Sequence, residues 1–129
     1  MPDPQTGAGF DAPTPDAAYR VAPDPLQEAA ALLRISTQLT VQAQQSQELD
    51  EEQERLYILR RAALADRMAI AEPEDERYQR EAVELSQTLA QFDREHRHLV
   101  SGPRGPDSIE WDPSARPYVR QEYDAWGRA

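Results

Sequence analysis

The feature that most constrains this chain is a heptad stripe between residues 78 and 99. Tyr78, Ala82, Leu85, Leu89, Phe92, His96 and Leu99 recur at alternating steps of four and three, and nearly everything between them is Glu, Gln, Arg, Asp, Ser or Thr. A helix carrying such a stripe buries one narrow seam against another helix. The stripe specifies packing and assigns no chemistry.

The partner helix is expected upstream. Asp24 suits an N-cap, Pro25 the first helical position and Glu28 the first turn. No Pro or Gly follows until Pro73, so the pattern predicts one helix over 25–71, close to 70 Å long at about 1.5 Å per residue. Its character changes along its length. Leu26, Ala29, Leu32, Leu33, Ile35 and Leu39 form an apolar stripe; residues 41–54 are rich in Gln and Glu; Leu56 to Ala71 is apolar on most sides. Glu72 precedes proline and is pushed out of the helical region, so a tight turn is expected there. A second helix over 73–101 opens with acids that complement its dipole and closes at Gly102.

Folding the chain at this turn makes an antiparallel hairpin in which facing positions sum to about 147. Leu49, Leu56, Leu59 and Ala63 then face Tyr78, Leu85, Leu89, Phe92 and Leu99 along the seam. Arg94, His96, Arg97 and His98 come alongside Glu48, Asp50, Glu51, Glu52 and Glu54. Leu32, Ile35, Leu39, Ile58 and Leu64 are left uncovered, which points to a second copy of the chain and a four-helix bundle, or else to the C-terminal tail folding back over them.

The ends differ in kind from the middle. Six of the eleven prolines fall within the first 25 residues and four more within 103–117. Residues 1–24 hold few large apolar groups and are expected to be a disordered arm. Residues 102–129 read as a Pro/Gly hinge and an aromatic tail. Val119, Tyr123 and Trp126 are spaced for a short amphipathic helix. Trp111, Tyr118, Tyr123 and Trp126 are the candidate partner-binding residues, because exposed Trp and Tyr in a short motif are typical binding anchors. The expected architecture is thus all-α: a long, coiled-coil-like helical hairpin at 25–101, dimerising, between the arm and the tail.

Charge and composition exclude several functions. The net charge of −10 disfavours direct contact with nucleic acid or anionic lipid. Cysteine is absent, which removes disulfide and thiol chemistry. No 18-residue apolar run or signal-peptide pattern is present, so no membrane association and a cytoplasmic location are expected. There is no phosphate loop, no nucleophile elbow and no His–carboxylate pair beside a nucleophile, so no enzyme and no cofactor are expected.

Two short motifs invite a functional reading. Glu95 and His98 have the Glu-x-x-His spacing of a di-iron carboxylate helix and over six residues resemble two-helix ferritin-like proteins. His96 occupies the seam, however, so Glu95 flanks it and His98 points outward; no metal is expected. Tyr118 and Glu122 form Tyr-x-x-x-Glu after a helical hairpin, which resembles the export signal of type VII secretion substrates. The smallest such substrates carry Trp-x-Gly in the turn, where this chain has Ile70-Ala71-Glu72-Pro73-Glu74. The principal expectation is a non-catalytic protein–protein interaction or scaffold module. The alternatives are a type VII-like secreted hairpin, and an acidic regulator of a nucleic-acid-binding protein that uses Glu48–Glu54.

Overall fold

A computed structural model describes residues 1–128, and these are all-helical. Five α-helices follow in order: α1 (Pro15–Ala18), α2 (Pro25–Gln44), α3 (Glu51–Ala71), α4 (Glu76–Glu95) and α5 (Arg116–Arg128), with 3₁₀ turns at Arg97–Leu99 and Ile109–Trp111.

The expected long helix is two helices. Asp24 caps α2 by accepting from the Gln27 amide at 3.0 Å. The helix stops after Gln44, where Ser46 takes a positive φ of 56°. The Gln- and Ser-rich stretch has no apolar groups with which to hold a helix against a neighbour. Asp50 then starts α3, accepting from the Glu52 amide at 3.0 Å, with Glu51, Glu52 and Glu54 in the first turn where the helix dipole favours them. Leu49 falls in the break and is exposed, so it takes no part in the seam.

The second long helix is also shorter than its pattern suggests. Asp75 accepts from the Arg77 amide at 2.9 Å, so the helix begins at Glu76. It ends at Glu95 because His96 leaves the helical region (φ −136°, ψ 54°) and sets its Nδ1 2.8 Å from the Phe92 carbonyl.

Helices α3 and α4 run antiparallel side by side. Arg55 pairs with Asp93, and the Gln79 side-chain amide donates to the Ala69 carbonyl at 2.8 Å, so facing positions sum to 148. Near the turn Ala65, Ala69 and Ala82 let the two backbones approach. Farther along, Leu59, Ala62 and Ala63 meet Leu89 and Ala90. Leu56, Tyr78, Leu85, Phe92 and Leu99 are half-buried, with Tyr78 and Leu85 packed against this core.

The break lets α2 fold back onto α3. Ile35 is buried and Leu32, Leu39 and Leu64 are half-buried, while Ile58 is half-buried against the main core beside α4. The residues expected to require a second copy are therefore largely covered within one chain.

Both ends belong to the fold, which corrects the expected disordered arm and packs the aromatic tail onto the helices. Trp111, Tyr118, Val119 and Tyr123 sit in the same core as Leu59 and Leu89, with Phe10, Tyr19 and Trp126 packed against it. The arm is held by polar contacts as well as by its few apolar groups. Gln5 donates to the Ala69 carbonyl at 2.9 Å, Tyr19 Oη donates to Asp66 at 2.7 Å, and the Asp11 amide donates to Glu110 at 2.6 Å.

Candidate functional site

Helix α5 is the centre of the molecule. Its first eight residues, Arg116 to Tyr123, are all buried, including Arg116, Arg120 and Glu122. A buried charge is tolerated only when paired and hydrogen-bonded, and each of these three reaches a partner on α3 or α4.

The first cluster surrounds Asp66 on α3. Its Oδ1 accepts from Arg116 Nε at 2.7 Å and Arg120 Nη2 at 3.0 Å. Its Oδ2 accepts from Tyr19 Oη at 2.7 Å and Arg120 Nε at 2.9 Å. Arg120 also donates to the Pro4 carbonyl, so the N-terminal arm closes over this cluster. The second cluster lies near the far end of α4. Arg55 grips Asp93 with two bonds of 2.8 Å and reaches Glu122 at 2.7 Å. Tyr118 Oη donates to Asp93 at 2.6 Å. Glu122 also accepts from the Ser101 and Gly102 amides at 2.8 and 2.7 Å. A Cβ at Gly102 would collide with the ends of the Glu122 and Gln121 side chains, so a larger residue there would force both to shift. Burial, reinforced by the hydrogen bond to Asp93, holds the Tyr118 hydroxyl well above the ordinary tyrosine value. Arg55 is likewise held charged: the adjacent carboxylates raise it against the opposing effect of burial.

A third pair fastens α2. Glu28 is fully buried and accepts two bonds from Arg60, at 3.1 and 2.5 Å. The Arg60 guanidinium lies 5.1 Å over the Trp126 ring.

These positions revise the expected site. Trp111 (6% exposed), Tyr118 (0%) and Tyr123 (3%) are core residues, and Trp126 is half-buried beside Arg60. They pack on the hairpin and do not reach outward. Tyr118 and Glu122, the two residues of the export-like motif, are both enclosed. The acid–base match between the helices is partly realised: Glu51 lies 3.7 Å from His96 and 3.0 Å from His98, while Arg97 instead pairs with Asp107. Among the described residues no group of three His, Cys, Asp or Glu is placed to hold a metal ion. No described helix is long and apolar enough to cross a membrane. A cleft of about 440 Å³ beside Trp111 is rimmed by Arg94 and Arg116 but also by Asp107 and Asp112, so its charges give no preference for one ligand sign.

One surface departs from the balanced remainder. Eight large apolar side chains are exposed among the described residues, and five of them, Val21, Leu26, Leu33, Val41 and Leu49, lie on α2 or just beyond its ends. Exposure reaches 82% at Leu26, 70% at Leu33 and 42% at Val41. The apolar pattern of the sequence puts Leu26 and Leu33 in the same stripe as Ile35. At about 100° per residue, however, Leu26, Leu33 and Val41 lie opposite Glu28, Ala31 and Ile35, the side that meets α3. No family model, curated protein or solved structure matches this chain.

Proposed function

We propose that the chain is a non-catalytic protein–protein interaction module whose contact face is the outer side of α2. The observation that carries this reading is the row Leu26, Leu33 and Val41, exposed on a helix whose opposite side is already anchored through Glu28 and Ile35. An apolar row kept in water on an otherwise charged protein is the mark of a contact surface. The buried polar clusters support the same reading: their carboxylates are consumed by arginines, tyrosines and backbone amides, an arrangement suited to holding a scaffold rigid.

The secreted-hairpin alternative gains no support from a Tyr118 and Glu122 that are both buried in the folded chain. The acidic-regulator alternative has one observation in its favour, the exposure of Glu48, Asp50, Glu51 and Glu52 at the α2–α3 break. Its contacts would weaken steeply with salt, whereas contacts through an apolar face would not.

The test is a photo-crosslinking amino acid placed at position 33, with position 84 on the outer side of α4 as control. A discrete adduct formed at 33 and not at 84 in native-host extract is the expected result. Equal labelling at both sites, or none at 33, overturns the assignment of α2.

A further inference from the structure

Resting on that reading, we infer that the occupant of the α2 face is a second copy of this chain, docked through its own α2 in the antiparallel direction. Three observations lead there.

The first is the pattern of the face. Leu26, Ala30, Leu33, Thr37 and Val41 are all exposed, and at about 100° per residue they fall within an arc of about 80°. Their sizes run large, small, large, small, large, and that order is preserved when the helix is reversed. An antiparallel partner about a two-fold axis at Leu33–Arg34 sets Leu26 against Val41 of the copy and Ala30 against Thr37, with Leu33 staggered beside its own copy. An isologous contact needs such self-complementarity.

The second is charge. Each copy carries −10, so two copies repel wherever acids meet. The thirteen residues from Ile35 to Gln47 contain no ionisable group. Within α2 the two charged residues are Glu28, which is buried on Arg60, and Arg34, which is exposed at the edge of the stripe. This is the one long helix of a strongly acidic protein on which two copies can meet without pressing carboxylate on carboxylate.

The third is direction. A parallel arrangement would bring the exposed acids Glu48, Asp50, Glu51 and Glu52 beside their own copies. The antiparallel one moves those patches to opposite ends. Each then lies at the end of the partner α2 that carries the exposed Arg20 with the two exposed acids Asp16 and Asp24, a lower density of carboxylate than its own copy would present. A contact confined to one helix about 30 Å long lies at the small end of specific interfaces, so the dimer is weak and reversible, with a dissociation constant in the micromolar range.

The experiment uses the full chain in two arms. Sedimentation velocity over roughly 1–200 µM should show concentration-dependent dimerisation, and Leu33→Asp should weaken it at least tenfold while changing little in the melt recorded at submicromolar concentration, where both chains are monomeric. For direction, the cysteine-free chain accepts single cysteines without ambiguity. Ala30→Cys mixed with Thr37→Cys should give an oxidised heterodimer, and each variant alone far less. In the antiparallel register residue 30 lies about 10 Å along the axis from its own copy, too far for a disulfide. A chain that stays monomeric at 200 µM overturns the inference, as does a dimer indifferent to Leu33→Asp. Homotypic links at both 30 and 37 would signify a parallel pair and overturn the register. If position 33 photo-crosslinks a different protein while the chain itself remains monomeric, the inference fails and the module reading stands. If position 33 forms no adduct of either kind, both fail.

Discussion

Helices α5 and α2 invert what their compositions suggest. Between Arg116 and Tyr123, α5 carries two arginines, a glutamate and a glutamine, and all of it is buried. The charge-poor α2 holds Leu26 and Leu33 in solvent. The difference lies in what each side chain meets. The α5 charges find fixed counter-charges on two neighbouring helices, and a matched buried charge costs little where an unmatched one costs several kcal/mol. The outer α2 leucines meet nothing within the chain, because α3 is only wide enough to cover the side bearing Ala31 and Ile35. Burial here follows tertiary matching more closely than side-chain type.

The most damaging way to break this comparison is to remove the centre of the first cluster. Asp66→Asn leaves Arg116 and Arg120 enclosed without their carboxylate, and losing one partner of a buried ion pair typically costs about 3–5 kcal/mol. Urea titration should show a loss of that size, together with faster proteolysis at the two ends of the chain, since Tyr19 and α5 share this anchor. A loss below about 1 kcal/mol would mean that α5 is held by its apolar side alone.

The apolar side can be weighed separately. Leu89 is fully buried between α3 and α5, so Leu89→Ala should cost about 2–5 kcal/mol. Phe92 is half-buried and stacks on His96 at 4.0 Å between ring centres, so Phe92→Ala should cost less than Leu89→Ala. A reversed order in chemical denaturation would show that the seam, and not the three-helix core, carries the load.

Alkali probes the same region through Tyr118. Its hydroxyl is held above the ordinary value of 10.0 by burial and by its bond to Asp93. A raised folded-state value favours the protonated, folded chain. That contribution is intact below pH 10 and is lost as the pH climbs beyond it, where the unfolded chain releases the proton and the folded one does not. Stability should therefore fall steeply above pH 10, and Tyr118→Phe should flatten part of that slope. An unchanged slope would place the alkaline sensitivity elsewhere.

Part of this fold is legible in the sequence. The period of 3.6 residues carries Leu59, Ala63, Ala82 and Leu89 to the core, and the turn at Pro73 sets which residues face one another: the observed Arg55–Asp93 pair lies one position from the expected register. Local signals for the break were present in Asp50 and the acids after it, but Ser46 adopts its left-handed conformation with no glycine or proline to announce it. The role of α5 was hidden for a different reason. Its partners lie 25 to 67 positions away, Asp93 for Tyr118, Asp66 for Arg116 and Arg55 for Glu122. Local periodicity cannot see such pairs, so from sequence Arg116 and Arg120 only flank the aromatic residues and suggest an acidic or polar rim on a partner. The arm is held the same way, Pro4 to Arg120 across 116 positions. The α2 face was half legible: its apolar residues were evident, but which of them α3 would cover depended on the chain folding back at Ser46.

The smallest expected effect sharpens the comparison from its other side. If the outer face of α2 does no structural work, Leu26→Gln and Leu33→Gln should each change the unfolding free energy of the isolated chain by less than about 0.5 kcal/mol, as surface substitutions do. Helix propensity gives no reason for more, because Gln and Leu are close in rank. The contrast with Ile35, two residues on and on the opposite side of α2, makes the measurement decisive. Ile35→Ala removes a side chain that is 8% exposed and should cost about 2–5 kcal/mol. Melts recorded at submicromolar concentration, well below the expected dissociation constant, isolate the single chain from association. A large loss at Leu33 under those conditions would mean that α2 packs with its Leu26–Leu33 side inward. The exposed row would then belong to the fold, and the contact surface would have to lie elsewhere on the molecule.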